Sequence, residues 1–233
     1  MSNISILNNV KLYHFNFNSR AMVARAAMAY RNQSFEDHRI KADNWILLKY
    51  SGDFEFRVLP VLEVDGKRYS QMNAINTYLG SKLDLFYNDI EEDYKIISTL
   101  NSYEDIAGKN RQTYLLTSEE DRQQAFENFK IIHAPFYLHI YESRYNKWRG
   151  SYYIGNKFTL ADIYVTCYLY NNFMNSNKLL KYKEDFMEKY APNLKQHIIK
   201  IKENELKSFF DNYYIENEDK EEIKKISDII RKT

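Results

Sequence analysis

The chain has 233 residues, enough for one large or two small domains. Its 33 Lys+Arg against 32 Asp+Glu give a formal net charge of +1, so no global field favours nucleic acid or an anionic membrane. A single cysteine, Cys167, excludes an internal disulfide framework and a Cys-rich metal site, and fits a reducing compartment.

With 6 Gly and 3 Pro the chain is poor in breakers and reads as mostly helical. No apolar run approaches the roughly 20 residues of a membrane span. Met1 to Asn9 lacks a basic segment with an apolar core, so a cytoplasmic protein is expected, with delivery to an organelle lacking a cleaved signal left open.

In chain order, Val10 to Phe15 predicts a strand and Ser19 to Tyr30 a helix with Ser19 as N-cap. Phe35 to Ile40 predicts a second strand, Ala42 to Phe56 an irregular stretch, and Leu59 to Val64 a third strand. Asp65-Gly66 is a hairpin signal with Lys67 to Tyr69 returning, and Met72 to Leu83 predicts a helix. The order β-α-β then β-β-α is that of a thioredoxin-like α/β domain. Helical patterns over 91–116, 119–147, 159–176, 179–190 and 192–212 then predict an all-α C-terminal domain. Thr159 with Asp162 forms a capping box, and Phe158 with Ile163 a hydrophobic staple. The charged tail carries a narrow stripe at Ile223, Ile226, Ile229 and Ile230. It reads either as a helix docked on its own domain, which is preferred, or as a partner-binding helix. The expected boundaries are 1–86, 87–215 and 216–233.

Lys11-Leu12-Tyr13-His14-Phe15-Asn16 with Arg20-Ala21, then Tyr30 and Phe35 to Ile40, resemble the opening of sigma-type glutathione transferases. Leu59-Pro60 resembles that family's cis-proline strand. Gln71 with Ala74-Ile75 and Tyr78-Leu79 resembles the segment that grips the γ-glutamyl end. Tyr153 to Asn156 and Thr159 to Asp162 resemble its C-terminal folding motif. The resemblance spans about 10–212 and implies the glutathione-transferase fold, glutathione as co-substrate, a small apolar electrophile and a homodimer. It also implies site residues. Trp45 and Lys49 would contact glutathione, and Leu59 before Pro60 would pair its backbone with the cysteinyl part, as in strand addition. Gln71 and Met72 would meet the γ-glutamyl end, and Glu104-Asp105 matches an acidic pair from which Asp105 reaches across a dimer to the neighbouring ligand's amine. Arg20 would support the thiol.

Three positions depart from that pattern. The register set by Leu12 and Phe15 puts the thiol-activating tyrosine position on His14, and strand alternation sends Tyr13 to the other face unless a bulge intervenes. Imidazole reaches roughly 2 Å less far than phenol, so weak conjugation is expected, with a buried, hydrogen-bonded histidine weighed equally. Met72 stands where the family has a serine hydroxyl, and Val58 where it has a polar residue. Ser19 reads as a cap rather than a nucleophile activator, and Cys167 as an inert buried thiol. An apolar acceptor pocket is expected, walled by the helices around 100–115 and by the chain's end, around Tyr103, Ile106, Tyr114 and Phe209-Phe210. The alternatives are a non-catalytic glutathione-binding module, or a structural subunit of a larger complex using the tail to dock. The sequence carries no metal-spaced His/Cys set, no phosphate-binding Gly loop and no basic-aromatic nucleic-acid patch.

Overall fold

Strand β1 (Val10–Phe15) alternates inward Val10, Leu12 and His14 with Lys11 and Tyr13, the periodicity of a strand that buries one face. The computed structural model describes residues 7–116, 118–178 and 181–232, and the side chains of 112, 114, 115, 231 and 232 lie outside that description. β1 pairs in parallel with β2 (Glu36–Ile40), placing His14 opposite Arg39. On its other side it pairs antiparallel with β3 (Val61–Val64), Leu12 against Leu62. β3 turns through Asp65 (φ 49) and Gly66 (φ 79) into β4 (Lys67–Ser70), giving sheet order β2-β1-β3-β4. Two successive positive φ values are what a tight two-residue hairpin demands.

Helix α1 (Met22–Tyr30) lies against α3 (Met72–Lys82). Its fully buried Ala26 and Ala27 leave room for close helix approach, and α1 also reaches the helix Leu160–Leu169 of the helical domain. Ser19 is not the N-cap. Ala21 holds that position without a side-chain bond, and the Ser19 carbonyl accepts from Met22 N–H at 2.9 Å in a turn ahead of the helix.

The stretch expected to be irregular contains a helix, α2 (Ala42–Lys49). Asp43 in its first turn and Lys49 in its last suit the helix dipole. Trp45 anchors it with edge contacts to Phe15 and Phe54, at ring separations of 5.9 and 5.1 Å.

The helical domain begins with α4 (Ile90–Leu115), capped by Asp89, which accepts from Glu91 and Glu92 N–H. α5 (Glu119–Asn128) passes through a π-helical turn at Phe129–His133 into α6 (Ala134–Trp148). α7 (Leu160–Leu169) carries the predicted capping box, with Thr159 N–H donating to Asp162 Oδ2 at 2.9 Å. Asp162 also accepts from Tyr153 N–H at 2.7 Å, so it ties the preceding loop to the helix start. Helix α7 continues as a π-helical turn at Tyr170–Met174.

The pattern at 179–190 contracts to α8 (Phe186–Tyr190); residues 179 and 180 lie outside the described residues. The pattern at 192–212 splits at Asn204 (φ −115, ψ −89) into α9 (Pro192–Glu203) and α10 (Lys207–Asn212). None of the described helices is long and apolar enough to cross a membrane.

The tail forms α11 (Lys220–Lys232) and returns to the thioredoxin-like domain, meeting both α2 and α4. Ile226, 2% exposed, joins the cluster of Phe15, Trp45, Phe54 and Leu59. Burying that side chain is worth about 1.5–3 kcal/mol. Lys41, at the N-cap of α2, supplies no side-chain bond; instead Glu222 Oε1 accepts from Ala42 N–H at 2.5 Å. Glu218 Oε1 accepts from Asn18 N–H at 2.6 Å and its carboxylate pairs with Lys178. The Asn18 side chain bonds both backbone groups of Ile215. The tail packs within the chain, but it reaches both domains rather than only its own as expected, with α2 and the Trp45 cluster as part of its seat.

Candidate functional site

The loop ends of the sheet and helices from both domains line a cavity of about 440 Å³, within the ordinary range for small-molecule sites. One wall is His14, Phe15 and Arg20 after β1, Trp45 and Lys49 from α2, and Val58, Leu59 and Met72. The opposite wall includes Glu104 and Arg111 on α4 with Tyr164 and Tyr168 on α7, and α11 closes a third side. A recess of about 150 Å³ adjoins it, lined by Arg20, Val58, Leu59, Gln71, Met72, Asn73 and Glu104.

Eight of the ten expected positions therefore converge: His14, Arg20, Trp45, Lys49, Val58, Leu59 and Met72 on the cavity, and Gln71 on the recess. Pro60 lies buried behind Leu59, and the peptide joining them is cis. Asp105 is exposed and lines neither space, whereas its neighbour Glu104 lines both. Met72 opens α3, so its N–H belongs to the first turn, where donors lack intrahelical partners. Gln71 holds φ 73, ψ 116, a conformation that costs a non-glycine residue on the order of 1–3 kcal/mol.

His14 is 2% exposed and its Nδ1 lies 3.3 Å from the Phe15 carbonyl oxygen. A carbonyl can only accept, so Nδ1 carries the proton and Nε2 keeps its lone pair. Burial, reinforced by the positive charge of Arg25 and, to a lesser extent, of Arg20 and Arg39, lowers the His14 pKa to about 3 against the opposing hydrogen bond to Phe15. The ring is thus neutral at physiological pH. Tyr13 points to the other face, stacked on His38 at 4.7 Å, and no bulge brings it to the cavity.

Arg20 and Arg111 approach the same Glu104 oxygen, Oε2, at 3.9 and 3.7 Å. Tyr164 donates to Oε1 at 3.0 Å. Burial, and then Arg111, lower the Arg20 pKa, while Glu104 opposes them. Two guanidiniums over one carboxylate leave this cluster one positive charge in excess.

The expected apolar acceptor wall is not where the sequence put it. Tyr103, Ile106 and Phe209 are buried in the core, Phe210 stacks edge-on against Tyr170, and the Tyr114 side chain lies outside the described residues. The long side chains at 103 and 106 pack inward against Tyr141 and its neighbours, leaving the other face of α4, with Ala107, Asn110 and Arg111, toward the cavity. The expected walls, the helices around 100–115 and the chain's end, do line the cavity, but Arg111, Tyr164, Tyr168 and the particular tail residues were missed. Only spacing hinted at them: Glu104 and Arg111 stand seven apart, and Tyr164 and Tyr168 four apart, each on one helix face. Cys167 is buried, and burial pushes its thiol pKa up, as an inert residue requires.

The glutathione S-transferase N-terminal domain matches residues 8–81 and the C-terminal domain matches 104–213. Glutathione S-transferase 2 of Manduca sexta is 30% identical over 187 residues, 79% of this chain and 87% of that protein. Human hematopoietic prostaglandin D synthase is 29% identical, covering 78% of this chain and 85% of that protein. Among solved structures, prostaglandin synthase D of Nilaparvata lugens superposes with a TM-score of 0.77 at 25% identity, over 89% of this chain and 99% of that one. With the two domains in order around one shared cavity, the chain belongs to the glutathione S-transferase family.

Proposed function

We propose that this chain is a sigma-like family member that binds glutathione in the cavity and recess, and that conjugates or isomerises small electrophiles weakly because His14 does not activate the thiol. The observation that carries this reading is the 3.3 Å approach of His14 Nδ1 to the Phe15 carbonyl oxygen, which assigns the proton to Nδ1. With Nδ1–H committed to Phe15, Nε2 can accept a hydrogen bond from a thiol but cannot donate one to a thiolate. Accepting stabilises the protonated thiol, the opposite of what the reaction needs. With a pKa of about 3, His14 is also too weak a base to take the proton away.

The remaining residues support binding. Leu59, ahead of Pro60, offers its backbone to the cysteinyl unit. Lys49 offers charge to the glycyl carboxylate beside the Trp45 indole, and Val58 flanks the pair. Gln71 and the Met72 N–H, at the positive end of α3, suit the γ-glutamyl carboxylate. Arg20 is the positively charged group left to attract a thiolate, and Glu104 draws on that charge. Asp105 faces solvent on a stripe with Tyr94 and Ile97, which supports a homodimer in which it reaches the second copy's ligand. The same tautomer favours a second reading, a glutathione-binding module without turnover.

Titration calorimetry with reduced glutathione, then a conjugation assay on the same sample, tests the proposal. Binding with slow turnover supports it. Absence of heat at millimolar glutathione contradicts both readings, and fast turnover contradicts the role given to His14.

A further inference from the structure

The turn between β1 and α1 carries Arg20 to both the cavity and the recess, yet little in its own neighbourhood holds it. Ala21 caps α1 without a side-chain bond, and the Ser19 carbonyl accepts from Met22 N–H in one local turn. The Arg20 side chain is 39% exposed and lies 3.9 Å from Glu104 Oε2. An ion pair that long and that exposed orders a flexible side chain weakly. The backbone carrying Arg20 therefore decides where its charge stands.

That backbone is fixed from the far end of the chain. Asn18, 5% exposed, meets both backbone groups of Ile215: its Nδ2 donates to the carbonyl at 2.5 Å and its Oδ1 accepts from the N–H at 3.1 Å. Asn18 N–H donates to Glu218 Oε1 at 2.6 Å, and Lys178 holds the Glu218 carboxylate. Nearer the strand, Asn16 Oδ1 accepts from Arg39 Nη1 at 3.2 Å, and Arg39 Nη2 donates to the Tyr213 carbonyl at 2.8 Å. The family match ends at residue 213, so the Asn18 bonds reach chain beyond the matched domain. Three hydrogen bonds on one buried residue, one of them to a carboxylate, make a clasp that is costly to open.

Resting on the glutathione-site reading above, we propose that Asn18 is a positioning residue that acts through Arg20. By clasping residues 215 and 218 it fixes the turn that holds the Arg20 guanidinium at the sulfur corner of the site. The stretch 215–218 thereby sets the charge that the sulfur meets.

The test reads the charge at that corner separately from the rest of the site. Glutathione sulfonate, anionic at the sulfur position, and S-methylglutathione, neutral there, are titrated calorimetrically into the full chain. The sulfonate should bind about tenfold tighter, the worth of one charge-assisted hydrogen bond. Asn18→Ala should bring the ratio close to one while S-methylglutathione still binds as before; loss of a merely structural support would weaken both ligands alike. In Arg20→Gln the ratio should also be close to one, and adding Asn18→Ala to it should change nothing further, as a double-mutant cycle requires of a residue acting through another. Should Asn18→Ala fail to fold, Glu218→Ala and Glu218→Gln decide. Both remove the charge, but glutamine keeps an oxygen for Asn18 N–H and should keep the larger ratio. Equal binding of the two ligands by the unaltered chain, a sulfonate preference that survives Asn18→Ala, both ligands weakened in proportion, a further change on adding Asn18→Ala to Arg20→Gln, or equal ratios in the two Glu218 variants would overturn the inference. If neither ligand binds, the glutathione reading fails separately. Amide hydrogen exchange at Ser19 and Arg20 then tests the clasp: faster exchange in Asn18→Ala supports it, and unchanged exchange overturns it.

Discussion

At position 14 an imidazole stands where the family places a phenol, and its surroundings decide what it can do. Burial among Phe15 and Phe17 beside three arginines favours the neutral ring. The unfolded chain binds a proton at His14 near pH 6.5 that the folded chain refuses until about pH 3. Stability should therefore fall as pH drops from 6.5 toward 3, because protons then favour the unfolded state. Denaturant titrations across that range should show a shallower decline in His14→Tyr, which has no group titrating there. The same variant supplies a hydroxyl with the longer reach and should raise conjugation about 10²-fold, the scale of one well-placed donor to a developing anion. At position 72 the lost hydroxyl should matter for affinity. Met72→Ser should tighten glutathione about tenfold or more by calorimetry, since a hydrogen bond to a charged group is worth about 1.5–3 kcal/mol. The position of His14 was legible in the sequence because strand alternation is local. Its tautomer was not, because that depends on where the Phe15 carbonyl turns.

Among the elements, local chemistry was readable and distant chemistry was not. The Asp65-Gly66 hairpin and the Thr159-Asp162 box each need only a few adjacent residues, and both form as expected. Helix α2 escaped notice because a partner far along the chain, Glu222, caps its first N–H. The fully buried Asp162 should be costly to remove. Asp162→Ala leaves Tyr153 and Thr159 N–H groups without their acceptor, and at about 1–3 kcal/mol each the loss should approach 3–5 kcal/mol by chemical denaturation. Gly80 in α3 sets two effects against each other. Alanine there would gain about 1 kcal/mol of helix propensity. Its Cβ, however, would lie 2.6 Å from Phe86 Cε2 and 3.1 Å from Leu160 Cδ2, overpacking worth about 1–3 kcal/mol. Gly80→Ala should be net destabilising in a thermal melt.

Across the whole molecule, the thioredoxin-like and helical domains share a cavity that the tail completes. Patterning made the two-domain architecture readable from the sequence, since strand signals alternate with helical ones up to Lys82 and only helical ones follow. The cavity's opposite wall and the tail's seat depend on how α4, α7 and α11 face one another, which no local pattern encodes. Cutting the chain after residue 215 should expose Trp45, which packs against the Ile226 cluster. In a Trp148→Phe background its emission should shift to the red, whereas an unchanged spectrum would mean that α11 does not seat there.

In the proposed complex, bound glutathione keeps its thiol protonated beside His14. Thiolate ultraviolet absorbance of the glutathione complex, followed against pH, measures this directly. A bound-thiol pKa close to the free value of about 8.5 is expected, moved clearly downward in His14→Tyr. A bound thiol already ionised below neutral pH in the unaltered chain would contradict it.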